Sequence, residues 1–180
     1  MNTANKITLF RIVLVPVFMF FLLYDIPFAQ YISAVIFVIA AVTDGVDGYV
    51  ARKYDQETTF GKFIDPLADK LLVTAALVGL VGMGKLDPWF ALVIISREFI
   101  VTSLRIVAIS NGKVIPAGMS GKIKTVLQIV AIVAMLIDRI YEISVGGILL
   151  SNVLMIAATV ATVYSGAEYI LQNKNLIEIK

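Results

Sequence analysis

Apolar residues run along this chain in long blocks, and short polar segments break them. The blocks predict six helices: about Ile7–Tyr24 around the core IVLVPVFMFFLL, Tyr31–Arg52, Phe63–Met83, Pro88–Ser110, Gly121–Ile137 and Gly147–Leu171. Each approaches the roughly 20 mostly apolar residues that a membrane-crossing helix requires. The breaks carry turn and charge signals: Asp25 with Pro27, the polar loop 53–62, GKLDP at 84–88, NGKVIPAGMSG at 111–121 and DRIYEISVGG at 138–147. The runs are too long for barrel strands and lack period-2 alternation. No internal repeat and no low-complexity segment interrupts them. The pattern predicts an all-α integral membrane protein of six transmembrane helices, folded as a single domain over 1–180.

Composition points the same way. Hydrophobic residues make up 59% of the 180 residues and charged residues 16%, against about 45–50% and about 25% in soluble domains. The mean hydropathy is +0.92. There is no Cys and no His, so thiolate and imidazole chemistry are excluded and any acid–base or metal work falls to carboxylates, Lys, Arg, Tyr or the backbone. No small-residue cleavage site follows the first apolar run, so no cleaved leader is expected. A net charge of +2 gives no reason to expect a nucleic-acid partner.

The placement of the cations matters more than their sum. Six spans put both termini on one side, together with Lys6, Arg11, Arg52, Lys53, Lys62, Lys113, Lys122, Lys124, Lys174 and Lys180. The opposite loops hold only Lys85 and Arg139. Positive loops stay inside, so both termini are expected in the cytoplasm, in a multi-pass protein of the cytoplasmic membrane. Trp89, beside Pro88, is expected in the outer aromatic belt, and FMFF at 18–21 on a lipid-facing or packing surface.

Asp44, Asp47, Asp65 and Asp69 crowd the cytoplasmic ends of the second and third helices. The spacings of three and four put each pair on one helical face. Two adjacent antiparallel helices then aim four carboxylates into one gap, which is very unfavourable at a bilayer edge unless a cation compensates. Oxygen ligands suit Mg²⁺, Mn²⁺ or Ca²⁺ rather than zinc. Four of them suffice for two ions, an arrangement used for displacement at phosphorus. Gly48 and Ala51 share the face of Asp44 and Asp47, with Gly45 on its flank, and small residues there admit a ligand or a neighbouring helix. Arg52, about two turns beyond Asp44, suits a phosphate. Pro66 follows Asp65 and is tolerated in a first helical turn, which places Asp65 near the start of the third helix. As isolated residues, these aspartates would read as helix-end charges paired with Arg52, Lys53, Lys62 or Lys70.

The stretch reads D-x-x-D-G-x-x-A-R, eight residues, then G-x-x-x-D-x-x-x-D: Asp44, Asp47, Gly48, Ala51, Arg52, Gly61, Asp65 and Asp69. It resembles the signature of the CDP-alcohol phosphotransferases, with every position present. The resemblance implies that family's six-helix fold, a homodimer, and two divalent cations, Mg²⁺ or Mn²⁺, on Asp44, Asp47, Asp65 and Asp69. It implies a CDP-linked donor, an alcohol acceptor and release of CMP, with Asp69 as the general base. The absence of His agrees with that role. Gly48 and Ala51 then make room for the nucleotide, Gly61 belongs to the same donor-binding signature, and Arg52 pairs with the phosphates. Thr43 and Gly45 are further candidates for donor contacts.

A second polar cluster bears on the acceptor. The fourth helix carries Arg97, Glu98 and Arg105 inside SREFIVTSLR, and charges within a span usually face a cavity or a partner. The fifth opens with SGKIKTVLQ, where Gly121, Lys124, Thr125 and Gln128 share a face beside Lys122. Several cations together favour a small anionic acceptor over a neutral alcohol. These two stretches, with NKITLFR at the start (Asn5, Thr8, Arg11), resemble the phosphatidylglycerophosphate synthase branch of the family. That branch joins CDP-diacylglycerol to sn-glycerol 3-phosphate. On this reading Arg105, Lys122 and Lys124 meet the acceptor phosphate, with Arg97 behind them, and the active site faces the cytoplasm among membrane lipid. Each has a plainer reading: Arg97 pairing with Glu98, Lys122 and Lys124 snorkelling to lipid phosphates, Arg11 anchoring the first helix. Sister enzymes using serine, inositol or inositol phosphate are the nearest alternatives. A cation transporter would continue its polar groups through the midplane and often shows an inverted repeat, and a non-catalytic scaffold leaves the signature unexplained.

Overall fold

The computed structural model describes residues 3–24, 26–53, 59–110, 118–138, 144–145 and 148–174; for 3–6, 44–53, 59–67, 69, 110, 145 and 148 it describes the course of the backbone only. Six helices form: α1 (Thr3–Leu23), α2 (Ala29–Lys53), α3 (Thr59–Gly82), α4 (Pro88–Ser110), α5 (Met119–Asp138) and α6 (Leu150–Gln172). The helical expectation holds, with corrections at three helix starts; the first helix begins at Thr3, not Ile7. A short antiparallel ladder, β1 (Ser144–Val145) and β2 (Ile148–Leu149), precedes α6 and pairs Ser144 with Leu149 and Val145 with Ile148. The sequence puts Gly146-Gly147 between the paired residues, a dipeptide favoured in two-residue reversals. The sixth helix accordingly begins at Leu150, not Gly147. The third begins at Thr59, not Phe63, so Asp65 lies six residues into α3 rather than at its start. Pro66 is therefore inside the helix, where its ring removes one backbone donor. Pro16 likewise lies inside α1.

Helix ends follow local chemistry. At the end of α3, Lys85 N–H donates to Leu80 O and Gly84 N–H to Val81 O, each at 2.9 Å. This is the paired closure of a Schellman motif, and Gly84 takes the left-handed φ of +67° that it requires. Asp87 caps α4 by accepting from Trp89 N–H at 2.9 Å, and Pro88 occupies the first helical position, where no donor is needed.

The chain divides into two compact units, residues 1–85 with 135–142 and residues 86–134 with 143–180. In the first, α1 packs on α2 and α3. Phe18 and Phe37, both fully buried, bring α1 and α2 together with ring centroids 5.7 Å apart. Gly79 allows α3 to approach α1: a Cβ there would overlap Leu22 Cδ2 and lie 3.4 Å from Met19 Sδ. In the second unit α6 packs on α4. FMFF splits by helical period, with Phe18 inside and Phe20 exposed.

The core of the described residues is mainly apolar, but their exterior is unlike that of a soluble protein. Large apolar side chains are exposed along all six helices, among them Phe10, Val38, Val78, Phe99, Ile106, Val126, Ile156 and Val160. Thr8, Arg11, Ser33, Lys124, Gln128, Ser151, Thr162 and Ser165 are buried among the apolar core residues. Such an exterior suits lipid, where polar groups must find their partners internally. Among the described residues, two helices are long and apolar enough to cross a membrane, Met119–Asp138 and Leu150–Gln172; shorter apolar stretches cover Ile7–Leu23, Ala29–Thr43 and Lys70–Gly82.

Candidate active site

The signature divides between two packed neighbours of the first unit. Asp44, Gly45, Asp47, Gly48, Ala51 and Arg52 lie on the last turns of α2, and Gly61, Asp65 and Asp69 on the first turns of α3. Both helices are continuous through these positions, so the spacings of three and four put each carboxylate pair on one helical face. The side chains of Asp44, Asp47, Ala51, Arg52, Asp65 and Asp69 lie outside the described residues. Thr43, one residue earlier, donates its hydroxyl to Ile39 O at 2.6 Å. All four aspartates offer carboxylate oxygens, the ligand type that hard divalent cations select, and the chain has no Cys or His. Further down α1, Thr8 and Arg11 are both buried, one turn apart. A guanidinium only 1% exposed is an interior group, which excludes the reading of Arg11 as a lipid-facing anchor.

The second polar cluster is built in the other unit from α4, α5 and α6. Glu98 Oε1 accepts from Lys124 Nζ and, at 3.3 Å, from Arg97 Nη1. Arg97 Nη2 donates to Ser165 Oγ of α6 at 2.6 Å. The side chains of Arg97, Glu98 and Lys124 are 13%, 20% and 5% exposed, so this is a largely interior network. Two cations and one carboxylate leave it with a formal charge of +1. A further link, one turn on, joins α5 to α6, from Gln128 Nε2 to Thr162 Oγ1 at 2.9 Å. Arg105 and Lys122 are exposed. Of the four predicted acceptor cations, Arg97 and Lys124 are therefore drawn together through Glu98, and Arg105 and Lys122 stand at the surface. The sequence does not single out Ser165 and Gly166, and it marks Glu98 as a charge within the fourth helix without pointing to Lys124 as its partner. The small pair in YSGAEY was the only signal, and it is indistinguishable in sequence from ordinary helix packing.

An apolar exterior around buried ionic and hydroxyl groups defines a helical, membrane-associated protein. Comparison of the sequence with known families makes the assignment specific. The model of the CDP-alcohol phosphatidyltransferase family matches residues 1–164, and the chain belongs to that family. It is 46% identical over 184 aligned residues to the CDP-diacylglycerol–glycerol-3-phosphate 3-phosphatidyltransferase of Bacillus subtilis (strain 168), covering 96% of this chain and 95% of that one. It is 41% identical to a probable phosphatidylglycerophosphate synthase of Mycobacterium tuberculosis (strain CDC 1551 / Oshkosh), covering 94% and 80%. It is 37% identical to the CDP-diacylglycerol–glycerol-3-phosphate 3-phosphatidyltransferase of Wigglesworthia glossinidia brevipalpis, covering 83% and 84%.

Proposed function

We propose that this protein transfers the phosphatidyl group of CDP-diacylglycerol to sn-glycerol 3-phosphate, giving phosphatidylglycerophosphate and CMP. One observation carries the reading: the complete run from Asp44 to Asp69 stands in a chain 46% identical, over 96% of its length, to a relative named for this reaction. The family match runs through both compact units, which supports treating residues 1–180 as one catalytic domain.

Asp44, Asp47, Asp65 and Asp69 are the residues that would hold two divalent cations, Mg²⁺ or Mn²⁺. When bound, such ions neutralise charge on the donor pyrophosphate and on the leaving CMP. Gly45, Gly48, Ala51 and Gly61 leave room for the nucleotide, Arg52 pairs with its phosphates, and Thr43 adds a polar contact. Asp69 takes the proton of the acceptor hydroxyl as that oxygen attacks the β-phosphorus. Lys124, Arg105 and Lys122 bind the phosphate of the acceptor, and Arg97 supports them. The exposure of Arg105 among Ile106, Val107 and Ile109 favours this role, because a guanidinium on an apolar face is costly unless it meets water or an anion. Six membrane spans, cytoplasmic termini and an active site open to the cytoplasm belong to the same proposal, supported by the lysine and arginine bias. A homodimer rests on the family resemblance.

The test is CMP release by purified protein in detergent with CDP-diacylglycerol and Mg²⁺ or Mn²⁺. Release is expected with sn-glycerol 3-phosphate and not with serine, inositol, inositol phosphate or no acceptor. EDTA abolishes it and excess Mg²⁺ restores it. Release with another acceptor overturns the assignment of the α4 and α5 cations; release that survives EDTA overturns the metal assignment.

A further inference from the structure

Arg97 and Glu98 are adjacent on α4, and adjacent helical side chains point about 100° apart. For Arg97 Nη1 to reach Glu98 Oε1 at 3.3 Å, the long arginine stem must be held in a bent course. The feature that holds it lies on α6. Gly166 leaves open the space the stem occupies: a Cβ there would lie 2.9 Å from Arg97 Cγ, 3.6 Å from Nε and 3.9 Å from Cδ. Ser165 then accepts from Nη2 at 2.6 Å and is itself buried. Arg97 Nε is buried without a hydrogen-bond partner, so the stem is placed by this groove and by its two ends. Beyond Glu98 comes Lys124, whose buried ammonium is tolerable only while it is paired.

We propose that Ser165 and Gly166 form a latch on α6 that sets acceptor affinity through the relay Arg97, Glu98, Lys124. Neither touches the acceptor, and both are positioning residues. The latch fixes Arg97, Arg97 and Lys124 share one oxygen of Glu98, and the Lys124 ammonium is thereby held where an incoming phosphate competes with the carboxylate for it. This rests on the reading of Lys124 as an acceptor-phosphate ligand.

Steady-state kinetics of CMP release test it, with each substrate varied in turn. Ser165→Ala is expected to raise KM for sn-glycerol 3-phosphate about tenfold, the loss of one hydrogen bond to a charged group. It leaves kcat within about twofold and KM for CDP-diacylglycerol unchanged, the split expected for lost binding. Ser165→Thr, which keeps the hydroxyl, rescues the acceptor KM. Gly166→Ala has the same signature, and the double substitution is no worse than the more severe single one, because both act on one contact. An unchanged acceptor KM in Ser165→Ala, while Lys124→Ala raises it, overturns the latch and leaves the proposed reaction intact. An unchanged acceptor KM in Lys124→Ala overturns the acceptor-site reading and the latch with it. Parallel losses in kcat and both KM values that follow a lowered unfolding temperature assign Ser165 and Gly166 to packing alone, and the proposal fails.

Discussion

Asp69 and Asp44 carry the same side chain on neighbouring helices, yet their substitution separates two roles. Asp69→Asn keeps a side-chain oxygen but removes the proposed base, so turnover should fall by about 10²–10⁴-fold with CDP-diacylglycerol binding largely retained. Asp44→Ala removes a proposed metal ligand, so both turnover and donor binding should be lost. CMP release and donor binding by equilibrium titration, measured on both variants, check this pair; wild-type turnover in Asp69→Asn would remove Asp69 from its role as base. The aspartates were legible in the sequence because their relation is local: a spacing of three or four on one helix puts two side chains on one face in any fold. The pairing of Glu98 with Lys124 was not, because 26 residues separate them and only the packing of two helices brings them together. Ser165 lay further out of reach, 68 residues from Arg97.

At the scale of elements, two glycines make different predictions because different physics holds them. Gly84 has nothing within 4 Å of a Cβ, but its φ is +67°, so Gly84→Ala should cost about 1–2 kcal/mol of backbone strain and Gly84→Asn less. Gly79 has ordinary helical geometry, but α1 stands against it. Gly79→Ala should cost about 1–3 kcal/mol by overpacking, and shortening the side chain it strikes, in Gly79→Ala with Leu22→Ala, should give less than additive loss. Thermal unfolding midpoints in detergent check both, with KM values unchanged for Gly84→Ala. The turn at GKLDP was readable because Gly, Asp and Pro act on their own backbone. The extra turn of α3 before Phe63 was not: TFGK offers no apolar period, and the helix runs through it and past Pro66 regardless.

Over the whole molecule, the absence of native cysteine makes topology directly measurable. Single cysteines at Lys85 and at Lys174, both exposed, should react differently with a membrane-impermeant maleimide applied to intact cells: Lys85→Cys is labelled, and Lys174→Cys only after the membrane is opened. Labelling of both from outside would overturn the cytoplasmic placement of the C-terminus. The apolar exterior predicts a second behaviour. A charge placed on the exterior, as in Ile156→Arg, should reduce the protein recovered from membranes, while Lys122→Gln, already at an exposed polar position, should not.

The sequence by itself determined the helical class, the position of most helix ends, the membrane as solvent and the carboxylate signature. Each of these depends on composition or on neighbours within a few turns, where 3.6 residues per turn and the cost of exposing polar groups to lipid leave little choice. Only the tertiary structure decided which ions are buried, that Arg97 and Lys124 converge on one carboxylate while Arg105 and Lys122 stand exposed, and that Gly166 and Ser165 of α6 receive the arginine. Those relations depend on which face of one helix meets another. Many helix faces in this chain are apolar enough to pack, so the choice among them follows from the fit of side chains such as Arg97 against Gly166 and Leu22 against Gly79.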